Sequence, residues 1–161
     1  MFLGTYPTVV EADVIDHHHS VEYLIQYHPY EDDVDKKSIC PYGCWVYRNE
    51  PGVIILDLGE ATHVDGIELQ NINEQKHDRH AKEIKVFLSD SKDGPWEEIL
   101  SEVLPDTRND VEDLPLLHFA TRGQTLGQYL KCQILSHYGK HGGLHYFGLY
   151  TGDVLPDFCI R

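Results

Sequence analysis

Short apolar runs, each closed off by turn residues, dominate the chain. Val53-Ile54-Ile55-Leu56-Asp57-Leu58 is rich in β-branched residues and lies between Pro51-Gly52 and Gly59. Gly66-Ile67-Glu68-Leu69-Gln70 and Glu83-Ile84-Lys85-Val86-Phe87-Leu88 alternate apolar and polar positions. Trp96-Glu97-Glu98-Ile99-Leu100 follows a Lys92-Asp93-Gly94-Pro95 turn. Leu116 to Phe119, Tyr129 to Leu135 and His145 to Tyr150 complete the set. A period of two, punctuated at such intervals, predicts strands of a β-sandwich or barrel. No amphipathic helix is expected after residue 50. Before it, Thr8 to Val14 reads as a strand, Ser20 to Ile25 as a short strand or a helical turn, and Tyr30 to Lys37 as a polar loop. Residues 101–115 form a long acidic connection, long enough to carry a short turn of its own.

Composition narrows the function classes. The 161 residues suit one domain that folds without staples. Lys plus Arg is 13 against 27 Asp plus Glu, a formal charge of −14. Nucleic-acid binding depends on clustered Lys and Arg, and docking on anionic lipid on basic surfaces, so neither is expected. No apolar run approaches the length of a membrane span, so no membrane insertion is expected. Met1 to Pro7 lacks the basic and apolar regions of a signal peptide. The chain is therefore either cytosolic or a domain of a longer protein. The 11 His make net charge strongly pH-dependent between about pH 7.5 and 5.5.

Cys40 and Cys44 have a C-x3-C spacing, which differs from zinc-ribbon and thioredoxin-like C-x2-C. Cys132, within an expected strand, reads as a small buried hydrophobe. Cys159 could pair with Cys40 or Cys44 if the chain is oxidised, and connectivity stays open. His17-His18-His19 is internal. Adjacent side chains on a strand point to opposite faces, so the three could share a metal only in a loop.

Six segments in order resemble the discoidin, or coagulation factor 5/8 type C, family. They are Trp45 with Val53 to Gly59, Val64 to Asn71, Asp78-Arg79 with Lys82 to Ser89, Gly94-Pro95-Trp96, Tyr129 to Ile134, and Gly142 to Phe147. The resemblance covers residues 45–152 of a single domain spanning 1–161; residues 1–44 match poorly. It implies an all-β antiparallel sandwich with jelly-roll, galactose-binding-like topology and about eight strands. It also implies binding rather than catalysis, of sugars, lipid head groups or proteins, through loops at one end. Many members hold calcium, for which Asp32, Asp33 and Asp35 are the candidate ligands here. The Glu that opens the last strand in such members falls at Tyr146 or Phe147, which carry no carboxylate.

Two polar loops join expected strands, 71–80 and 137–143. They supply Asn71, Asn73, His77, Asp78, Arg79, His80, His137, Tyr138 and His141, with His145 just beyond. Planar polar groups suit pairs of sugar hydroxyls, and an aromatic face suits the apolar face of a pyranose ring. The Gly142-Gly143 pair lets the backbone approach a ligand closely. As an alternative, Asp78-Arg79 is an internal ion pair that shapes a solvated turn. No G-x-S-x-G, H-E-x-x-H, P-loop or G-x-G-x-x-G occurs, so no enzyme is expected. The leading expectation is a carbohydrate-binding or adhesion module with a glycan or glycoprotein partner. The alternative is a protein-interaction or self-associating domain.

Overall fold

In the computed structural model, residues 8–13, 45–72, 78–108 and 116–150 are described. They form six strands: β1 (Thr8–Ala12), β2 (Gly52–Asn71), β3 (Arg79–Ser89), β4 (Glu97–Val103), β5 (Leu116–Gly139) and β6 (Leu144–Tyr150). Every pairing between these strands is antiparallel, in the order β1-β2-β5-β3-β4, with β6 also on β2. No helix occurs among the described residues.

Two long strands build both layers. The first arm of β2, residues 52–57, pairs with β1 and with residues 129–134 of β5. Its second arm, 66–70, pairs with residues 116–120 of β5 and with β6. Register shifts between Asp57 and Thr62 and between Val64 and Gly66 separate the arms. Bulges bend a strand and increase its twist, and so carry it from one layer to the next. Counting arms, one layer is β1, β2, β5, β3 and β4, and the other is β5, β2 and β6. That gives the expected eight strand segments of an all-β sandwich.

Alternation fills the space between the layers. Ile54, Leu56 and Leu58 of β2, Ile84, Val86 and Leu88 of β3, and Leu130, Cys132 and Ile134 of β5 are buried in one cluster. Ile67, Leu69, Phe147 and Leu149 meet them from the second layer. Cys132 is a free, fully exposed-to-nothing thiol in this core, and burial pushes its pKa far up, as expected of a small hydrophobe. Cys40, Cys44, Cys159, His17, His18, His19 and the 20–25 segment lie outside the described residues.

Trp45 closes one end of the sandwich. It has no exposed surface, and its backbone exchanges two hydrogen bonds with Leu144. Its indole N–H donates to the Asp13 carbonyl at 2.7 Å. This fixes where the 45–50 segment leaves the core, and so where the polar residues after it are presented.

Candidate functional site

At the Trp45 end, four segments converge: 45–50, 78–80, 104–108 and 137–143. The described part of the first expected loop, 78–80, lies beside the second, 137–143. Asp78, with φ 50°, offers its carbonyl to Lys140 N at 2.9 Å and to His141 N at 3.4 Å. His80 N in turn donates to the His141 carbonyl at 2.8 Å.

One half of the site is centred on Glu50. Its Oε2 accepts from the Tyr47 hydroxyl at 2.6 Å and from His137 Nδ1 at 2.5 Å. Burial raises the Glu50 pKa, but the bonds from Tyr47 and His137 outweigh it and hold the carboxyl below its usual range. Burial, and then Glu50 itself, pushes the Tyr47 hydroxyl far up, so it stays a donor. His141 Nε2 donates to the Tyr47 carbonyl at 2.6 Å, because a carbonyl only accepts. The His141 ring lies 5.1 Å from that of Tyr47 and 6.0 Å from that of His137. Glu50 and His137 keep 28% of their side-chain surface exposed.

The other half is a strap, residues 104–108, laid across the start of β3. Leu104 N donates to the Lys82 carbonyl, and the Tyr138 hydroxyl donates to the Leu104 carbonyl at 2.8 Å. Arg108 donates to both carboxylate oxygens of Asp106 and to Asp78 Oδ1 at 3.2 Å. That bidentate bond first, with the charge of Arg108, holds Asp106 down to about 2. Lys82 and Arg108 lie 5.5 and 5.7 Å from the centre of the Tyr138 ring.

Several expectations for individual residues are corrected here. Asn71 is buried. Its amide donates to the Ala81 carbonyl and accepts from the Ala81 and Ile72 N–H groups, which stitches β2 to β3. His80 is buried between Ile72 and Thr107, and His145 is buried in β6. None of these three presents itself to a ligand. Tyr138 is not a bare platform, since two cations lie over its ring and its hydroxyl is engaged. The carboxylate of Asp78 reaches Arg108 at 3.2 Å. The glycine pair serves the chain itself. A Cβ at Gly142 would lie 1.8 Å from the Tyr47 hydroxyl, and one at Gly143 would lie 2.5 Å from the Trp45 carbonyl.

His137, His141, Asp78 and Arg79 do lie at this end, together with Glu50, Asp106 and Arg108, which the sequence reading missed. Asn73 and His77 are outside the described residues, as are Asp32, Asp33 and Asp35. Tyr146 and Phe147 are buried in β6 and supply no carboxylate for calcium. Among the described residues no three His, Cys, Asp or Glu side chains gather around a metal position.

The sequence model of the Sad1/UNC-like C-terminal family matches residues 16–151. The chain belongs to this family. No curated protein matches it in sequence. In structure, this Sad1/UNC-like domain is similar to the family 32 carbohydrate-binding module of Streptococcus pneumoniae EndoD. The identity is 9% and the TM-score 0.63, over 91% of this chain and 96% of that one. The family 32 module of C. perfringens NanJ, in complex with galactose, aligns at 11% identity and TM-score 0.63, over 90% and 93%. Chitosan-binding module 1 of the Paenibacillus sp. IK-5 chitosanase/glucanase aligns at 12% and 0.62, again over 90% and 93%. The jelly-roll fold is thereby shared. The discoidin resemblance stands at the level of that fold, and the family shown by sequence is the Sad1/UNC-like one.

Proposed function

We propose that this Sad1/UNC-like domain is a non-catalytic carbohydrate-binding module, with its site at the Trp45 end. The observation that carries the reading is the pair of half-exposed, internally braced polar groups there. Glu50 with His137 and Asp78 with Arg108 present planar acceptors and donors whose orientation is already fixed by hydrogen bonds. Pre-orientation of this kind lowers the entropy cost of gripping sugar hydroxyls. The NanJ module that shares the fold was solved with galactose, and the AlyQ module with 4,5-unsaturated mannuronic acid. These neighbours support the ligand class and leave the sugar itself open. Single-site affinity is expected on the order of 0.1–1 mM, because a shallow site buries little ligand.

The test is a glycan array probed with the folded domain displayed multivalently, with calcium and again with EDTA. Binding to one sugar family, lost by more than about tenfold in Glu50→Gln and in Asp78→Asn, is the expected result. The EDTA arm tests the calcium expectation on Asp32, Asp33 and Asp35 separately. A blank array on folded protein overturns the reading. It would favour docking of a protein strand instead, for which the side of β4 that pairs with no described strand, with Val103 59% exposed, is the supporting observation.

A further inference from the structure

The two ring nitrogens of His80 have opposite and fixed roles. Nδ1 lies 2.6 Å from the Ile72 carbonyl, which can only accept, so Nδ1 carries a hydrogen. Nε2 accepts from the Thr107 backbone N–H at 3.1 Å, and an N–H can only donate, so Nε2 is bare. The Thr107 hydroxyl lies 3.3 Å from the same nitrogen. Only the neutral Nδ1–H form fits both neighbours. A second proton has no place except on Nε2, where it displaces the Thr107 N–H and leaves the Thr107 hydroxyl and the Pro105 carbonyl as the acceptors it can turn to. We propose that His80 is a pH-sensitive latch that holds the 104–108 strap across the binding end only while its ring is neutral.

The strap is the element this latch controls. It is tied at its start by Leu104 to Lys82 and Tyr138, and at its far end by Arg108 to Asp78. The bond between His80 and Thr107 ties its middle. Releasing that bond frees the backbone that presents Asp106 and Arg108.

The surroundings of the ring set the direction of the switch. Asp106 and Arg108 face it from the strap, and the Tyr138 ring lies 5.9 Å away on β5. His141 accepts the backbone N–H of His80, and Asp78 stands two residues before it in the turn that opens β3. Burial disfavours the charged ring first of all. The Ile72 carbonyl, Asp106 and the Pro105 carbonyl favour the charge, and Arg108 opposes it. Burial prevails, so the folded pKa lies below the ordinary value of 6.5. The sign follows from linkage. The latch contributes fully above about pH 6.5, and its contribution is lost as pH falls through the folded value. Its consequence for sugar rests on the binding reading above: acidification loosens Arg108 and Asp106 and weakens the ligand's hold. The latch itself needs no ligand.

Two measurements on the full chain test it. The first is nitrogen NMR of the His80 ring at about pH 7.5, which reads the tautomer without any variant. The neutral Nδ1–H form is expected; an Nε2–H form or a cation overturns the proposal. The second is hydrogen exchange of the Thr107 amide between about pH 7.5 and 5, corrected for intrinsic exchange chemistry, with core amides such as Val86 as the reference. Between about pH 6.5 and the folded pKa of His80, strap opening is expected to rise by up to about tenfold per pH unit and then level off, while Val86 stays protected. In His80→Gln, which keeps an acceptor near Thr107 but has no proton to gain, the profile is expected to be flat. A flat wild-type profile, or equal acid sensitivity in His80→Gln, overturns the latch. If His80→Gln fails to fold, the tautomer and the wild-type profile still decide. A blank glycan array would leave all of these readings intact.

Discussion

His80 and His137 sit on neighbouring strands at the same end of the sandwich, and in sequence nothing separates them. His80 has no exposed surface and both ring nitrogens are committed to backbone partners. His137 keeps 28% of its side chain exposed, and its Nδ1 faces a carboxylate that is itself exposed. One is part of the framework, and the other is presented by it. What separates them is the strap, whose Thr107 bonds to His80, while His137 bonds to the part-exposed Glu50. A polar residue between two strands becomes framework when another segment covers it and its lone pairs meet backbone groups. Left uncovered, it stays available to a ligand.

The largest expected effect is on the framework side. Asn71→Ala removes the partner of three buried backbone groups, those of Ile72 N, Ala81 N and Ala81 O. At roughly 1 kcal/mol or more for each group left unsatisfied, urea denaturation should show a loss of about 3 kcal/mol. His80→Ala orphans two such groups and should cost about 2 kcal/mol in the same experiment. His137→Ala should cost less than about 1 kcal/mol, because its bond to Glu50 is open to solvent. A loss for His137→Ala as large as that for His80→Ala would erase the distinction between the two.

A pH titration sharpens the same contrast, with smaller effects. The strap side should weaken first, as pH falls below about 6.5 and His80 gains its proton. Glu50 has a folded pKa below its ordinary 4.5, so what it contributes is present above 4.5 and lost as pH falls through the folded value. Asp106, held at about 2 from an ordinary 3.8, lets go last, between about pH 4 and 2. Amide protection near Thr107 and near His137 should therefore be lost at separate pH values. Loss in one step at both places would contradict two independent halves.

The strands were legible because alternation is a direct record of which face meets the core. Ile54, Leu56 and Leu58 point inward as their spacing says, and so do Ile84, Val86 and Leu88. Less legible was that β2 and β5 each run through both layers, because a register shift at Asp57 to Thr62 leaves no apolar signature. That the loops 71–80 and 137–143 could share one end was read from the strands they join, and the described residues 78–80 and 137–143 lie side by side. That reading did not say which of their residues would be covered. Asn71 and His80 read as candidate ligand groups because their type suits a ligand as well as it suits a strand junction. Glu50 and Arg108 were passed over because they lie outside the two loops. Arg108 sits in an acidic connection whose composition reads as solvated chain. The Asp106-Thr107-Arg108 order, an acid and a base two residues apart, was the local signal that could have found it.

Chemical-shift mapping of the folded domain with the best sugar from the array tests the central claim most directly. The account predicts saturable shifts at Glu50, His137, His141, Asp78 and Arg108, with Leu69 and Val86 in the core unmoved. Shifts confined to the β4 edge or to the opposite end of the sandwich would contradict it.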